Sequence, residues 1–413
     1  MASNAGVAAF PAYVASGTTP RTAVNPMVRA AFYLFVLSIP FEMPNRIFPV
    51  EIPTITGSIF LLATMFAPSA SYRRIPAAAL WFVGYLWMFG FSTLVNRSTH
   101  GDLVLQLALL MIQLVLILWA ASNLLRHPVV LRGVLITLAF AVSVRAALQV
   151  LGIGATAHQV WTGGDRITAF GQNANLSAII MSVGALILLS LRPKIITWPI
   201  AAVTGLAIIQ TGSRGGLICL TVGLLVWAIG SGHTLKARLR GAVAGVFVLA
   251  VLAFGVLSSD MLRTRLLAAA EAGSLAGREH IYPAALSMIS ERPILGWGPI
   301  ENQFEIGVRI EEEQKDRRDA HNLVLDLMSS TGILGTIPFL IGYLLCWRSA
   351  WRARRGRSGI LPLAMMAVTF MGCMSGTWIA SKILWLILSI ALATGATAPH
   401  AARGRSNLGE ATP

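Results

Sequence analysis

Twelve apolar stretches recur along the 413-residue chain, at about 27–42, 53–69, 76–95, 102–122, 129–151, 173–191, 195–212, 214–230, 240–258, 322–347, 359–376 and 378–395. Each is long enough, or nearly so, to cross a bilayer as a helix. In lipid every backbone N–H and C=O needs a partner within its own element. The stretches lack the period-two alternation of a barrel strand, so each is expected to be helical. Charged residues make up only 12% of the chain and hydrophobic ones 55%, with a mean hydropathy of +0.70. A soluble globular chain carries about 25% charged residues, so this one has too few to cover a water-facing surface. A soluble enzyme, a disordered chain and a disulfide-stapled secreted domain are excluded. Cys219, Cys346 and Cys373 sit singly in apolar stretches and read as packing residues, with neither a disulfide framework nor a zinc site.

The net charge of +15 would suit nucleic-acid binding if it were clustered, but its placement points to membrane orientation instead. Alternate connections carry Arg73 and Arg74, then Arg126, then Arg192 and Lys194, then Lys236, Arg238 and Arg240, then Arg348 to Arg357, and these read as cytoplasmic. The intervening short connections hold isolated charges such as Arg46, Arg97, Arg166 and Arg214 and face outward. The resulting plan is a disordered cytoplasmic tail over 1–26, transmembrane helices 1–9 over 27–258, a periplasmic segment over 259–320, transmembrane helices 10–12 over 321–395 and a cytoplasmic tail over 396–413. Residues 259–320 hold 11 of the chain's 17 acidic residues and 8 basic ones, so this segment is water-exposed. It reads as helical around Ile281–Ile289, with turns at Pro293, Gly296 and Gly298.

Ionisable residues inside an apolar span are functional by default. Arg145 lies in the outer half of the fifth span, while Arg132 and Lys382 read more simply as side chains snorkelling to an interface. Four further groups fall at one membrane depth on the outer face: Arg166, ahead of Asn173-Ala174-Asn175; Ser213-Arg214 between Gly212 and Gly215-Gly216; Arg278; and His321-Asn322, where the water-exposed segment re-enters the membrane. Glycines around Arg214 permit close approach of a ligand, and the helix that starts there offers free N–H groups to an anion. Arginine binds phosphate oxygens in a fixed fork and stays charged at any physiological pH, so the pocket fits a lipid-linked diphosphate. His321 can accept a proton near neutral pH. Arg317 and Arg318 would stand beside it on a helical turn and favour the neutral imidazole that a general base needs. A DxD pair, a GxxxxGK[ST] loop, an HExxH and a GxSxG are all missing from the sequence.

The run from Gly277-Arg278-Glu279-His280 through Pro293-Ile294-Leu295-Gly296-Trp297-Gly298, then Ala320-His321-Asn322-Leu323 and Gly332-Ile333-Leu334-Gly335, resembles the signature of the O-antigen ligase and polymerase superfamily. The Ser213-Arg214-Gly215 turn and the Arg166 to Asn175 segment are similar to its other motifs, with Ala174 where many members carry proline. The resemblance implies an all-α membrane bundle of about 12 helices, of the GT-C glycosyltransferase type, acting without metal or cofactor. It implies a donor glycan on undecaprenyl diphosphate, taken at the periplasmic face of the bacterial inner membrane. The acceptor would be lipid A–core in a ligase, or another lipid-linked glycan in an O-antigen or exopolysaccharide polymerase.

On this reading Arg214 and Arg278 hold the diphosphate, and His321 deprotonates the acceptor hydroxyl. Arg166, Asn175, Ser213, Asn322 and Arg145 bind substrate. The ligase is the leading reading and the polymerase the alternative. A transporter of polyprenyl-linked glycans is disfavoured, because the polar residues cluster at the outer face instead of running through the bundle.

Overall fold

The computed structural model describes residues 24–42, 51–159, 165–230, 278–310 and 317–398, with isolated positions between 231 and 277. Its apolar helices are α1 (Pro26–Ser38), α2 (Ile52–Thr64), α3 (Ala77–Asn96), α4 (Gly101–Leu124) and α5 (Pro128–Val150). After a short antiparallel hairpin, β1 (Ala155–Gln159) and β2 (Asp165–Ala169), come α6 (Ala174–Ser190), α7 (Lys194–Gln210) and α8 (Arg214–Gly230). Two more polar helices, α9 (Arg278–Glu291) and α10 (Glu301–Arg309), precede α11 (Leu323–Ala353), α12 (Leu361–Cys373) and α13 (Lys382–Thr397). The chain is thus an all-α membrane protein with one small hairpin that the sequence reading lacked. Among the described residues α3, α4, α5 and α11 are long and apolar enough to cross a membrane, and seven further apolar helices are shorter. Most of the ninth apolar stretch, 240–258, and the outer parts of both tails lie outside the described residues.

Proline opens α1, α2, α5 and α12 within their first two positions, where its missing N–H leaves no bond unmade. The core is aromatic at its centre: Phe32 stacks on Phe60 at 4.6 Å, and Phe82 meets Trp385 and Phe339 edge-on at 4.9 and 5.3 Å. One end of the bundle is tied by the connection before α3, where Arg74 exchanges hydrogen bonds with Asn123 near the end of α4. The opposite end carries α9 and α10, on a small core of their own built from Ile281, Ala285, Met288 and Ile306.

Helix α11 is broken at Gly332 (φ 62°, ψ −165°), and the segment 293–298 fills the break. Ile333 and Leu334 N–H groups donate to the Pro293 and Ile294 carbonyls at 2.9 and 3.3 Å. In return Trp297 and Gly298 donate to Ser329 and Ser330 at 2.8 and 2.9 Å. Ser92 on α3 closes the interlock by donating to Leu295 and Ser330. A Cβ at Gly332 would fall 2.2 Å from the Ile294 oxygen, so close approach and left-handed backbone both require glycine there.

Glu301, at the start of α10, binds the 97–100 connection. Its carboxylate accepts from Ser98 Oγ (2.7 Å), the Thr99 N–H (2.7 Å) and His100 Nδ1 (2.9 Å), while His100 stacks on Phe304. Burial pushes the Glu301 carboxyl up, but hydrogen bonds from Ser98, His100 and Thr99 outweigh it and hold it down at about 2. A depressed folded-state pKa contributes stability above the ordinary carboxylate range of about 4 and loses it as pH falls through about 2. Wild-type protein should therefore melt higher than Glu301→Gln at pH 7, and the two thermal midpoints should converge as the pH is lowered from about 4 towards 2.

Candidate functional site

Three helices begin at one place, each capped by a side chain. Asn173 caps α6, its Oδ1 accepting from the Asn175 and Leu176 N–H groups at 2.9 and 3.3 Å. Ser213 caps α8, its Oγ accepting from the Gly216 N–H at 3.0 Å. Asn322 caps α11, accepting from Val324 and Leu325 at 3.0 and 3.3 Å. Short polar side chains satisfy the first N–H groups of a helix in this way, and the helix start keeps a partial positive charge.

Arg166 leaves β2 and donates through Nε to the Thr211 carbonyl and through Nη2 to Asn175 Oδ1, both at 3.0 Å. Ser213 Oγ donates to the same Asn175 oxygen at 2.7 Å. Gly212 takes a left-handed turn (φ 58°) between Thr211 and Ser213, and Arg214 follows as the half-buried first residue of α8. One amide oxygen thus joins the hairpin, α6 and the α7–α8 turn.

The connection between α12 and α13 brings in the rest. The Ser375 carbonyl accepts from Arg278 Nη2 at 2.8 Å. A Cβ on Gly215 would lie 3.1 Å from Ser375 Oγ, which places the Arg214 turn against the same residue. Asn322 Nδ2 stands 4.0 Å from the neighbouring Met374 sulfur, bringing the His321–Asn322 corner to this connection as well. Sequence reasoning missed Met374 and Ser375. Their signal was the small and polar run Cys373-Met374-Ser375-Gly376-Thr377 separating two apolar stretches.

His321 holds a left-handed backbone (φ 50°), a conformation costing a non-glycine residue about 1–3 kcal/mol. Capping of α11 falls to Asn322, so the His321 ring is not committed to that task. The helical turn that would set Arg317 and Arg318 beside His321 is not formed over 317–320. Residues 317–320 have no helical hydrogen bonding, and the Arg317 guanidinium reaches Gln303 Oε1 at 2.7 Å. Burial pushes the Arg318 pKa down, against the opposing pull of Asp319.

Arg145 and Lys382 do not sit where the sequence suggested. Arg145, expected to touch substrate, is 1% exposed and donates to Ser177 on α6, behind Asn175. Lys382, expected to snorkel, is also 1% exposed and pairs with Glu42 and Glu51. Arg132 is exposed.

Removing the shared acceptor should loosen the site. We expect Asn175→Ala to destabilise the protein by about 1–3 kcal/mol, since a donor of Arg166 and the hydroxyl of Ser213 lose their partner together. Asn175→Asp keeps the acceptor and should stay closer to wild type. The midpoint of SDS-induced unfolding in mixed micelles measures both.

Residues 199–340 match the family model for O-antigen ligase, a stretch containing Ser213, Arg214, Arg278, His321 and Asn322. The chain is also 28% identical over 185 residues to an O-antigen ligase of Pseudomonas aeruginosa. That alignment covers 44% of this chain, which spans 40% of the length of the relative.

Proposed function

From the match of residues 199–340 to the O-antigen ligase family model, we propose a membrane glycosyltransferase of the bacterial inner membrane. It moves a glycan from undecaprenyl diphosphate to lipid A–core at the periplasmic face, with both chain termini cytoplasmic. The observation that carries this reading is the meeting of the Arg214 turn, Arg278 and the His321–Asn322 corner around Met374 and Ser375. Arg214 and Arg278 hold the diphosphate, aided by Arg166 and by the start of α8. An open groove of about 610 Å³, lined by Glu279, His280, Ser287 and Arg309, runs beside Arg278. Its volume lies in the range of ligand sites, about 300–1,000 Å³, and its mixed donors and acceptors suit sugar hydroxyls.

In the transfer step the acceptor hydroxyl oxygen attacks the anomeric carbon while its proton passes to a nitrogen of the His321 imidazole. The bond from the anomeric carbon to the diphosphate oxygen breaks, and its electron pair leaves with the lipid diphosphate. The arginines stabilise the charge that develops on that leaving group. General-base help of this kind is worth about 10²–10⁴-fold in rate.

His321→Ala should lose transfer by about that factor while still binding the donor. Arg214→Lys should be impaired about tenfold or more, because a point charge does not replace a bidentate fork. Both are measured on purified protein in nanodiscs given undecaprenyl-diphosphate-linked oligosaccharide, with and without lipid A–core and with chelator present. Glycosylated lipid A–core made only when that acceptor is supplied supports the ligase. Longer lipid-linked glycan made without it identifies a polymerase, and wild-type turnover by His321→Ala overturns the base assignment.

A further inference from the structure

A largely buried polar seam adjoins the candidate pocket. Lys382, the first residue of α13, is bonded to Glu42 Oε1 at 2.8 Å and also to Glu51 Oε2. Glu42 follows the end of α1, and Glu51 immediately precedes α2. The Glu42 main-chain carbonyl accepts from Gln172 Nε2 at 2.8 Å, and Gln172 Oε1 accepts from Ser177 Oγ at 2.8 Å. Ser177 Oγ in turn accepts from Arg145 Nη2. An unbroken chain of polar contacts thus links α13, the ends of α1 and α2, and then α6 and α5.

Both ends of the seam adjoin the pocket. Lys382 closes the connection from Met374 to Ser381, whose Ser375 carbonyl holds Arg278. Gln172 and Ser177 bracket the Asn173–Asn175 turn, whose Asn175 holds Arg166 and Ser213. Lys382, Arg145, Gln172 and Ser177 are each no more than 2% exposed, so they act through their neighbours and not on a ligand. Apolar residues of similar volume usually serve stability as well as a buried ion cluster does. What the cluster adds is a fixed distance between particular atoms.

We propose that Lys382, acting through Glu42 and Gln172, is a positioning residue for the pocket. It sets the spacing between the half that carries Arg166 and Asn175 and the half that carries Ser375 and Arg278. The inference rests on the diphosphate-binding reading above, so its test reads binding separately from transfer.

Three variants decide it, each as full-length protein in nanodiscs: Gln172→Met, which cuts the seam without removing a charge; the triple change Lys382→Met, Glu42→Gln and Glu51→Gln, which removes the whole charge cluster; and Lys382→Arg. The single change Lys382→Met strands two carboxylates and is a poor test, because loss of fold is its simplest outcome. For each variant the thermal midpoint, the affinity for undecaprenyl diphosphate alone, and kcat and KM for transfer are measured. We expect Gln172→Met to melt within a few degrees of wild type yet bind undecaprenyl diphosphate about tenfold more weakly and transfer with a lower kcat. The triple variant should behave likewise, and Lys382→Arg, which restores a cation between the carboxylates, should recover most of the binding. Folded Gln172→Met with wild-type affinity and kcat overturns the proposal, as does a wild type that fails to bind undecaprenyl diphosphate. Should wild type bind this lipid but form no transfer product, the transfer reading falls. The positioning role then stands on the order of the affinities.

Discussion

A helix that breaks inside an apolar bundle exposes peptide groups that no water can serve, and those groups must be taken up by protein. At Gly332 they are taken up by residues 293–298, so the chain crosses its own broken helix through four main-chain hydrogen bonds. The consequence reaches beyond the break. Segment 293–298 is the continuation of α9, which begins at Arg278, and the outer half of α11 begins just after His321. One interlock therefore fixes the two site-bearing pieces to each other and, through Ser92, to α3. Gly296 and Gly332 are both in the left-handed region, and at each a Cβ would lie within 3 Å of the opposing backbone.

With those pieces held, the site follows from where helices start. Asn173, Ser213 and Asn322 each use an oxygen to close the first turn of a helix, and each stands within three residues of a group assigned to binding or chemistry. Capping orders the backbone there, and the partial positive charge of each helix start adds to the guanidinium groups nearby. On the proposed reading, anion recognition and helix initiation use the same short polar residues.

Much of this was legible in the sequence, and most of what was not shares one cause. Apolar stretches gave the helices because hydrophobic runs act locally. Arg214, Arg278 and His321 stood out as candidates because each sits in a recognisable short pattern. The partners of Lys382 lie 340 and 331 residues away in the chain, so no local pattern could separate a buried ion cluster from a snorkelling lysine. The same holds for Ser375, which takes part through a carbonyl that any residue possesses. The surroundings of His321 were left open by the sequence. Spacing alone allowed a helical turn, but the contact with Gln303 on α10 draws the chain out instead.

Charge is handled in two ways among the described residues. Lys382 is neutralised by two carboxylates in the interior, and Arg309 is clasped by Glu291 and Glu305 on the polar segment. Hydrogen bonding from Arg309, and then from Ser287, holds the Glu291 carboxyl down at about 2. At the pocket the contacts are of another kind. Arg278 donates to a main-chain carbonyl, and Arg166 donates to a carbonyl and a side-chain amide, so these bonds aim the guanidinium groups through neutral oxygens. A neutral oxygen consumes less of an arginine's electrostatic attraction than a carboxylate does, which is the arrangement that the diphosphate of the proposed donor would require.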